Sequence, residues 1–281
     1  SWHAAGVGIA GAASFATAGL FAALAGPESA FLFGAAAAAA AFAVALIVMP
    51  AALPPRPGAA APRALLDFRP VLHNRAALGW IVGYTVHTWE LAALRAWGVT
   101  FLAAAVARHG APVWLPGPTV LFTMVALAGI AVSVTGNEMA QRFGRARVVL
   151  VAMSAAAALS LVAGWSLAIS ALVAAILVVL WNAAIYLDSS ALTAGTVQAA
   201  DSALRGATMG LHSMAGYTGG FLGPLGVGLV LDLAGGDGPI GWGLGFGHVA
   251  IVTLVGLAIL RRLGRPTAAP LRPGTEVITS S

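Results

Sequence analysis

From Ser29 to Met49 the chain runs for 21 residues without one charged side chain. A hydrocarbon core about 30 Å thick is crossed by about 20 apolar helical residues, so such a run is long enough to span a bilayer. Lipid offers no hydrogen bonds to the main chain, which leaves two spanning solutions, the α-helix and the closed β-barrel. The alternation with period 2 that a barrel needs is absent. The composition agrees: 60% of the 281 residues are hydrophobic and 8% are charged, against roughly 25% charged in an average soluble domain, and the mean hydropathy is +0.93. The expected fold is therefore all-α, a polytopic helical membrane protein.

Eight crossings are predicted, at His3–Leu24, Ser29–Met49, Ala77–Ala105, Thr119–Gly136, Val148–Ser166, Ala168–Ala194, Ala207–Leu231 and Gly241–Leu263. Between the second and third, Pro54-Pro55 and Pro57-Gly58 forbid a continuous helix. The chain thus divides into a helix pair over 1–49, a linker over 50–76 with a short surface segment at Ala64–Asn74, a six-helix bundle over 77–264 and a polar tail over 265–281. It enters its first apolar run at once from Ser1, with neither an initiator Met nor a charged leader, and is expected to be the later part of a longer protein. Gly6, Gly8, Gly11, Ala12, Ala16 and Gly19 give the first run a small-residue character suited to close helix packing. Residues 6–11 also spell G-x-G-x-x-G, but no strand precedes them, so a dinucleotide site is not expected.

All fourteen basic residues are arginine. With eight alternating helices, Arg56, Arg63, Arg69, Arg75, Arg142, Arg145, Arg147, Arg205, Arg261, Arg262, Arg265 and Arg272 fall on one side, and Arg108 on the other with Glu28, Asp232 and Asp237. By the positive-inside rule the linker and C-terminus are cytoplasmic, in a plasma (inner) membrane. Arginines spread over short connections do not form a nucleic-acid surface, so the net charge of +5 implies no such partner. With no cysteine, disulfides and thiolate metal sites are excluded.

The third run is the least ordinary. It places His87, Glu90 and Arg95 well inside a crossing, where ionisable side chains are costly and mark function by default. At about 100° per residue, Trp80, Tyr84, His87, Thr88, Leu91 and Arg95 share an arc of roughly 100°, with Glu90 at its edge and Val82, Val86, Ala93 and Ala96 opposite. Glu90 and Arg95 diverge by about 140° and cannot pair as i,i+4 neighbours, so each needs another partner. In the sixth run Asn182, Tyr186, Ser189 and Thr193 form a second stripe, with Asp188 off its centre and nearer the cytoplasm. At about 1.5 Å per residue, Glu90 and Asn182 fall at similar depth, and no acid shares the depth of Arg95. Each group has two readings. Arg95 either snorkels to a carbonyl or binds an anion or a gating acid; Glu90 either couples protons or substrate, or partners His87. Asp188 is a helix-end partner or a coupling group, and His87 a proton relay or a neutral hydrogen-bonded residue. Trp114 and Trp242 fit an interfacial belt, and Trp89 and Trp97 fit packing or lipid-facing positions.

Two motifs carry a family resemblance. Asn137-Glu138-Met139-Ala140-Gln141-Arg142-Phe143-Gly144-Arg145 resembles the cytoplasmic loop G-x-L-A-D-R-x-G-R of the major facilitator superfamily, with Asn137 at the glycine position and Gln141 in place of the acid. Arg205-Gly206-Ala207-Thr208-Met209-Gly210, followed by Gly216, Gly219, Gly220, Gly223, Pro224, Gly226 and Gly228, is similar to that family's eleventh helix. Gly216 with Gly220 and Gly219 with Gly223 make two G-x-x-x-G faces, and Pro224 permits a bend. The resemblance implies helices five to twelve of that fold, completed by N-terminal helices of the same protein, with runs three and six bordering a central cavity. It implies a secondary transporter, symporter or antiporter, moving a small organic solute by alternating access. Tyr84, His87, Glu90, Arg95, Asn182 and Tyr186 would meet substrate, Glu90 and Asp188 would couple protons, and Glu138, Arg142, Gly144 and Arg145 would form a gate loop. An anionic solute is favoured by Arg95; efflux of hydrophobic compounds by antiport and a non-transporting sensor or scaffold are the alternatives. No hydrolase or metalloprotease motif is present, and His3, His73, His109, His212 and His248 lie in unrelated segments, so neither an enzyme nor a cofactor is expected.

Overall fold

The structure is a computed structural model that describes residues 2–48 and 67–264. The greater part of the expected linker, with Arg56 and Arg63, and the polar tail, with Arg265 and Arg272, lie outside the described residues. In chain order the helices are α1 (Trp2–Ala25), α2 (Pro27–Val48), the single turn α3 (Arg69–Leu72), α4 (Arg75–His109), α5 (Pro118–Phe143), α6 (Arg145–Trp165), α7 (Ala171–Ala199), α8 (Arg205–Leu233) and α9 (Pro239–Leu263). Among the described residues α2 and α4 to α9, seven helices, are long and apolar enough to cross a bilayer. The remaining expected crossing, the first, is helical as α1, within which Ala13–Ala25 is a shorter apolar stretch. The protein is an all-α polytopic membrane protein.

The helix ends follow from local chemistry. Asn74 caps α4 by accepting the Ala77 N–H at 3.0 Å, and its Nδ2 donates to the Ala199 carbonyl at 2.7 Å, so one side chain fixes the start of α4 and the end of α7. Ser170 caps α7 through the Val173 N–H at 3.1 Å. Pro118 and Pro239 open α5 and α9, where a missing N–H costs nothing. α5 outruns the expected crossing, so Asn137–Phe143 are its last turns and not a loop. The chain reverses at Gly144, whose φ of 90° disfavours any residue with a Cβ. Gly6, Gly8 and Gly11 belong to α1, so no phosphate-cradling loop exists there.

α4 lies at the centre, against α7, α8 and α9, while α6 packs on α7 and α9, and α5 on α7. α1 leans on α5, and α2 packs on α1 without burying one residue. Paired positions fix direction. Tyr84 meets Gly216, Trp89 meets Gly223 and Trp97 meets Gly228, so α4 and α8 are parallel. Trp80 meets Gly195, Gly83 meets Leu192 and His87 meets Asp188, so α7 runs opposite. α9 opposes both α4, through Val86 and Gly256, and α6, through Trp242 and Gly164. Strict alternation results. Among the described residues Arg69, Arg75, Arg142, Arg145, Arg147, Arg205, Arg261 and Arg262 gather at one end of the bundle and Arg108 at the other.

In lipid, apolar surface gains little by leaving the solvent, so helix association rests on close van der Waals contact and hydrogen bonds. α8 supplies both. A Cβ at Gly219 would stand 2.2 Å from the Thr85 carbonyl oxygen, and one at Gly223 2.2 Å from that of Trp89. Thr88 donates to the Gly216 carbonyl at 2.8 Å, and Trp97 to that of Pro224 at 2.8 Å. Of the two expected glycine faces, Gly219 with Gly223 is the contact seam; Gly220 has Ala92 no closer than 4.0 Å. A second seam joins α5 and α7, with Asn182 donating to the Val125 carbonyl at 3.3 Å, Ser190 to that of Ser133 at 3.3 Å, and Gly136 against the Leu187 main chain. Trp181, Trp242, Phe101 and Phe246 form the aromatic core near the Arg108 end, with centroids 4.9 to 5.3 Å apart. Trp242 is fully buried, which corrects its expected place in an interfacial belt, whereas Trp114 is exposed.

The seam gives a direct test by thermal unfolding in detergent. Gly223→Ala is expected to lose about 1–3 kcal/mol through forced separation of α4 and α8, and Gly220→Ala less than about 0.5 kcal/mol.

Candidate functional site

Ionisable and polar side chains converge where α4 meets α7, α8 and α9. Glu90 is 2% exposed and both of its carboxyl oxygens have a donor. Trp181 Nε1 of α7 donates to Oε1 at 2.6 Å, and Thr253 Oγ1 of α9 donates to Oε2 at 3.3 Å. No cation pairs with Glu90 among the described residues. The two donors therefore fix the carboxyl group in place, joining three helices, without cancelling a charge on it.

One turn toward the arginine-rich end, His87 Nδ1 and Asp188 Oδ1 approach to 2.7 Å, both side chains being buried. The approach lies off the hydrogen-bond axis, and neither atom has a hydrogen-bond partner among the described residues. It is a close contact between an imidazole and a carboxyl group. Asp188 is also within electrostatic reach of Glu90. Tyr84 stacks on His87 at 5.9 Å on one side and on His212 of α8 at 3.8 Å on the other, both nearly parallel. His212 Nδ1 lies 3.2 Å from Thr196 Oγ1 of α7. Thr196, His212, Tyr84, His87 and Asp188 thus form one continuous series across three helices.

Toward the other end, half-buried Arg95 donates to the Tyr186 hydroxyl, and its guanidinium stands 5.9 Å from the centre of that ring. Tyr186 lies flat over Gly129 of α5, where a Cβ would meet the ring at 2.7 Å. Arg95 carries five donors, and Tyr186 is its one hydrogen-bond partner among the described residues. Beside this set, Trp89 Nε1 donates to His248 Nε2 at 3.2 Å while His248 Nδ1 faces the Gly245 carbonyl at 2.5 Å. Those contacts require the tautomer with hydrogen on Nδ1, so His248 ties α4 to α9 as a neutral group.

Several expectations change. The partner of His87 is Asp188, not Glu90, and Asp188 is buried in the bundle, not a helix-end residue. Arg95 meets Tyr186 of the second stripe, so its partner is within the chain. On the apolar back of α4, Val86 and Ala93 are buried, with Val86 packed on Gly256 of α9, while Ala96 is exposed. His212 and His248 belong to this region and not to unrelated segments. His212 was legible, since it lies one turn before Gly216 on the face of α8 that carries the glycine seam. Asn182 serves the α5–α7 seam.

The residues resembling a gate loop sit apart, at the arginine-rich end. Gly144 makes the reversal, Arg145 donates to Gln198 at the end of α7, and Arg142 stands 5.3 Å over the Phe143 ring. Glu138 is exposed and makes no ion pair among the described residues. No model of a known protein family matches the chain, and no curated protein does.

Removing one member of a buried ionic pair costs about 3–5 kcal/mol, whereas replacing both with apolar groups is often neutral. His87→Leu, which strands Asp188, is expected to lower the unfolding temperature more than the double substitution His87→Leu/Asp188→Leu. Additive losses in that cycle would show that the two residues act independently.

Proposed function

We propose that this chain forms the substrate-bearing part of a secondary active transporter of the major facilitator type, moving a small organic anion by alternating access with proton coupling. The observation that carries the reading is the crossing of α4 with α7. Two carboxyl groups, an imidazole and a guanidinium lie inside membrane-spanning helices there, all at one boundary. Ionisable groups at such depth are kept for pathways and relays more often than for packing.

The seams explain what this boundary would do. α4 meets α8 and α5 meets α7 by main-chain contact, and in this reading each pair moves as a unit. Glu90–Trp181, His87–Asp188 and Arg95–Tyr186 bridge the two pairs. They are side-chain contacts, which rearrange without breaking a helix. A substrate anion on Arg95 competes with the Tyr186 hydroxyl for the guanidinium. A proton on Glu90 turns one oxygen from acceptor into donor and reverses the Thr253 contact. The first event loosens a tie between the pairs and the second resets the tie of α4 to α9, which is how two bundles rocking about a midplane site would be coupled to their cargo. The arginine-rich end is then cytoplasmic.

One observation favours a second reading, a non-transporting membrane scaffold. Glu90 already has two donors inside the bundle and needs no ligand to satisfy it.

Proteoliposomes with an imposed pH gradient separate these readings. With a panel of radiolabelled carboxylates as probe, uptake is expected to follow the gradient in the parent protein and to lose that dependence in Glu90→Gln. Arg95→Gln removes a charged hydrogen bond of about 1.5–3 kcal/mol, equivalent to about a 10- to 150-fold rise in KM. Absence of flux from the parent, with stability alone altered in the variants, would support the scaffold.

A further inference from the structure

Outside the ionisable boundary, the arginine-rich end of the bundle contains a cleft of about 320 Å³ between α4, α6 and α9. That is at the lower end of the roughly 300–1,000 Å³ range of small-molecule sites. Its floor is apolar: Trp80 from α4, Leu150 from α6, and Leu257 and Leu260 from α9. The floor is also fixed. Trp80 lies flat against Gly195 of α7, where a Cβ would meet the ring at 2.4 Å, and Leu260 fills the space left by Gly83. Arg147 and Arg261 complete the lining, one from the start of α6 and one from the end of α9, both exposed. Among the described residues neither makes an ion pair or a side-chain hydrogen bond.

The arrangement has the polarity of an amphiphile placed at a membrane surface. An apolar floor lies at the arginine-rich end of the bundle, and beside it stand two exposed guanidinium groups without an ion pair among the described residues. Guanidinium groups bind phosphate in bidentate fashion, and basic pockets between membrane helices at the positive end accept anionic headgroups. A soluble anion would use the arginines and leave the apolar floor wet; a zwitterionic lipid would use the floor and bring an opposing ammonium to the arginines. We infer that this cleft binds one anionic phospholipid, its phosphate on Arg147 and Arg261 and the upper part of an acyl chain against Trp80, Leu257 and Leu260. The inference rests on the membrane fold alone and stands or falls independently of transport.

Native mass spectrometry of the protein released from nanodiscs of mixed phosphatidylglycerol and phosphatidylcholine tests it. Retention of one phosphatidylglycerol, favoured over phosphatidylcholine, is expected. Arg147→Gln/Arg261→Gln is expected to weaken that retention about 30-fold, from two surface arginines of about fivefold each. Arg205→Gln, an exposed arginine at the same end but outside the cleft, should change it little. Equal retention of both lipids, or no difference between the double variant and Arg205→Gln, would overturn the assignment. Displacement of the lipid by excess inorganic phosphate would overturn it too, by identifying a soluble anion as the occupant. Because both arginines are exposed, the double variant should retain the unfolding temperature of the parent, and that measurement separates a lost ligand from a lost fold.

Discussion

Hydrocarbon solvates neither a carboxylate nor a guanidinium, so α4 crosses a bilayer only if protein surrounds it. That requirement sets the layout of the bundle. Glu90 takes its donors from α7 and α9, His87 takes its partner from α7, and Arg95 takes its hydroxyl from α7. α8 closes the remaining side, through a strip of glycines close enough that main chain touches main chain. The helix richest in ionisable groups is thus the central one. α2, which is free of charge beyond its first turn, stands at the margin with Phe31 and Ile47 about 80% exposed, as a lipid-facing helix should.

Two kinds of contact divide the work between them. The α4–α8 and α5–α7 seams are built from small residues and main-chain carbonyls, and their geometry allows little adjustment. The α4–α7 boundary packs closely at its arginine-rich end, where Trp80 lies on Gly195 and Leu192 on Gly83, and farther along is bridged by the side chains of Glu90, His87 and Arg95 with Trp181, Asp188 and Tyr186. Rigid pairs joined by adjustable polar bridges give a bundle defined surfaces along which to shift, and the ionisable groups lie on those surfaces.

Much of this was legible in the sequence. The spans emerged because a bilayer sets one length, and their alternation because arginines sort to one side; the registers of α4 against α7, α8 and α9 agree with that alternation. Depth counted at a fixed rise per residue placed Asp188 beside Tyr84 and Glu90 beside Asn182, and in the structure Asp188 meets His87 and Glu90 meets Trp181. Partners were harder to read, because they depend on the rotation of one helix against another. Helical angles put Asp188 off the polar stripe of α7, but that stripe packs on α5 through Asn182 and through the Tyr186 ring over Gly129, and Asp188 is turned toward His87 of α4. Trp242 was misplaced because a tryptophan near a helix start reads alike at a membrane surface and in a core. It is glycine at 164, opposite it, that makes room for α9 to approach.

Under the proposed alternating access the stripe of α4 meets water from one side at a time, and the chain suits a direct measurement because it contains no cysteine. Single cysteines at Leu91 and Arg95, with Val86 and Ala93 as buried controls, can be labelled in sealed vesicles with a membrane-impermeant thiol reagent applied to either face. The expected result is labelling of the stripe positions from one face, shifted toward the other by a pH gradient, with the controls unlabelled throughout. Stripe positions as inert as Val86 and Ala93 under every gradient would contradict the account and leave α4 as a structural pillar.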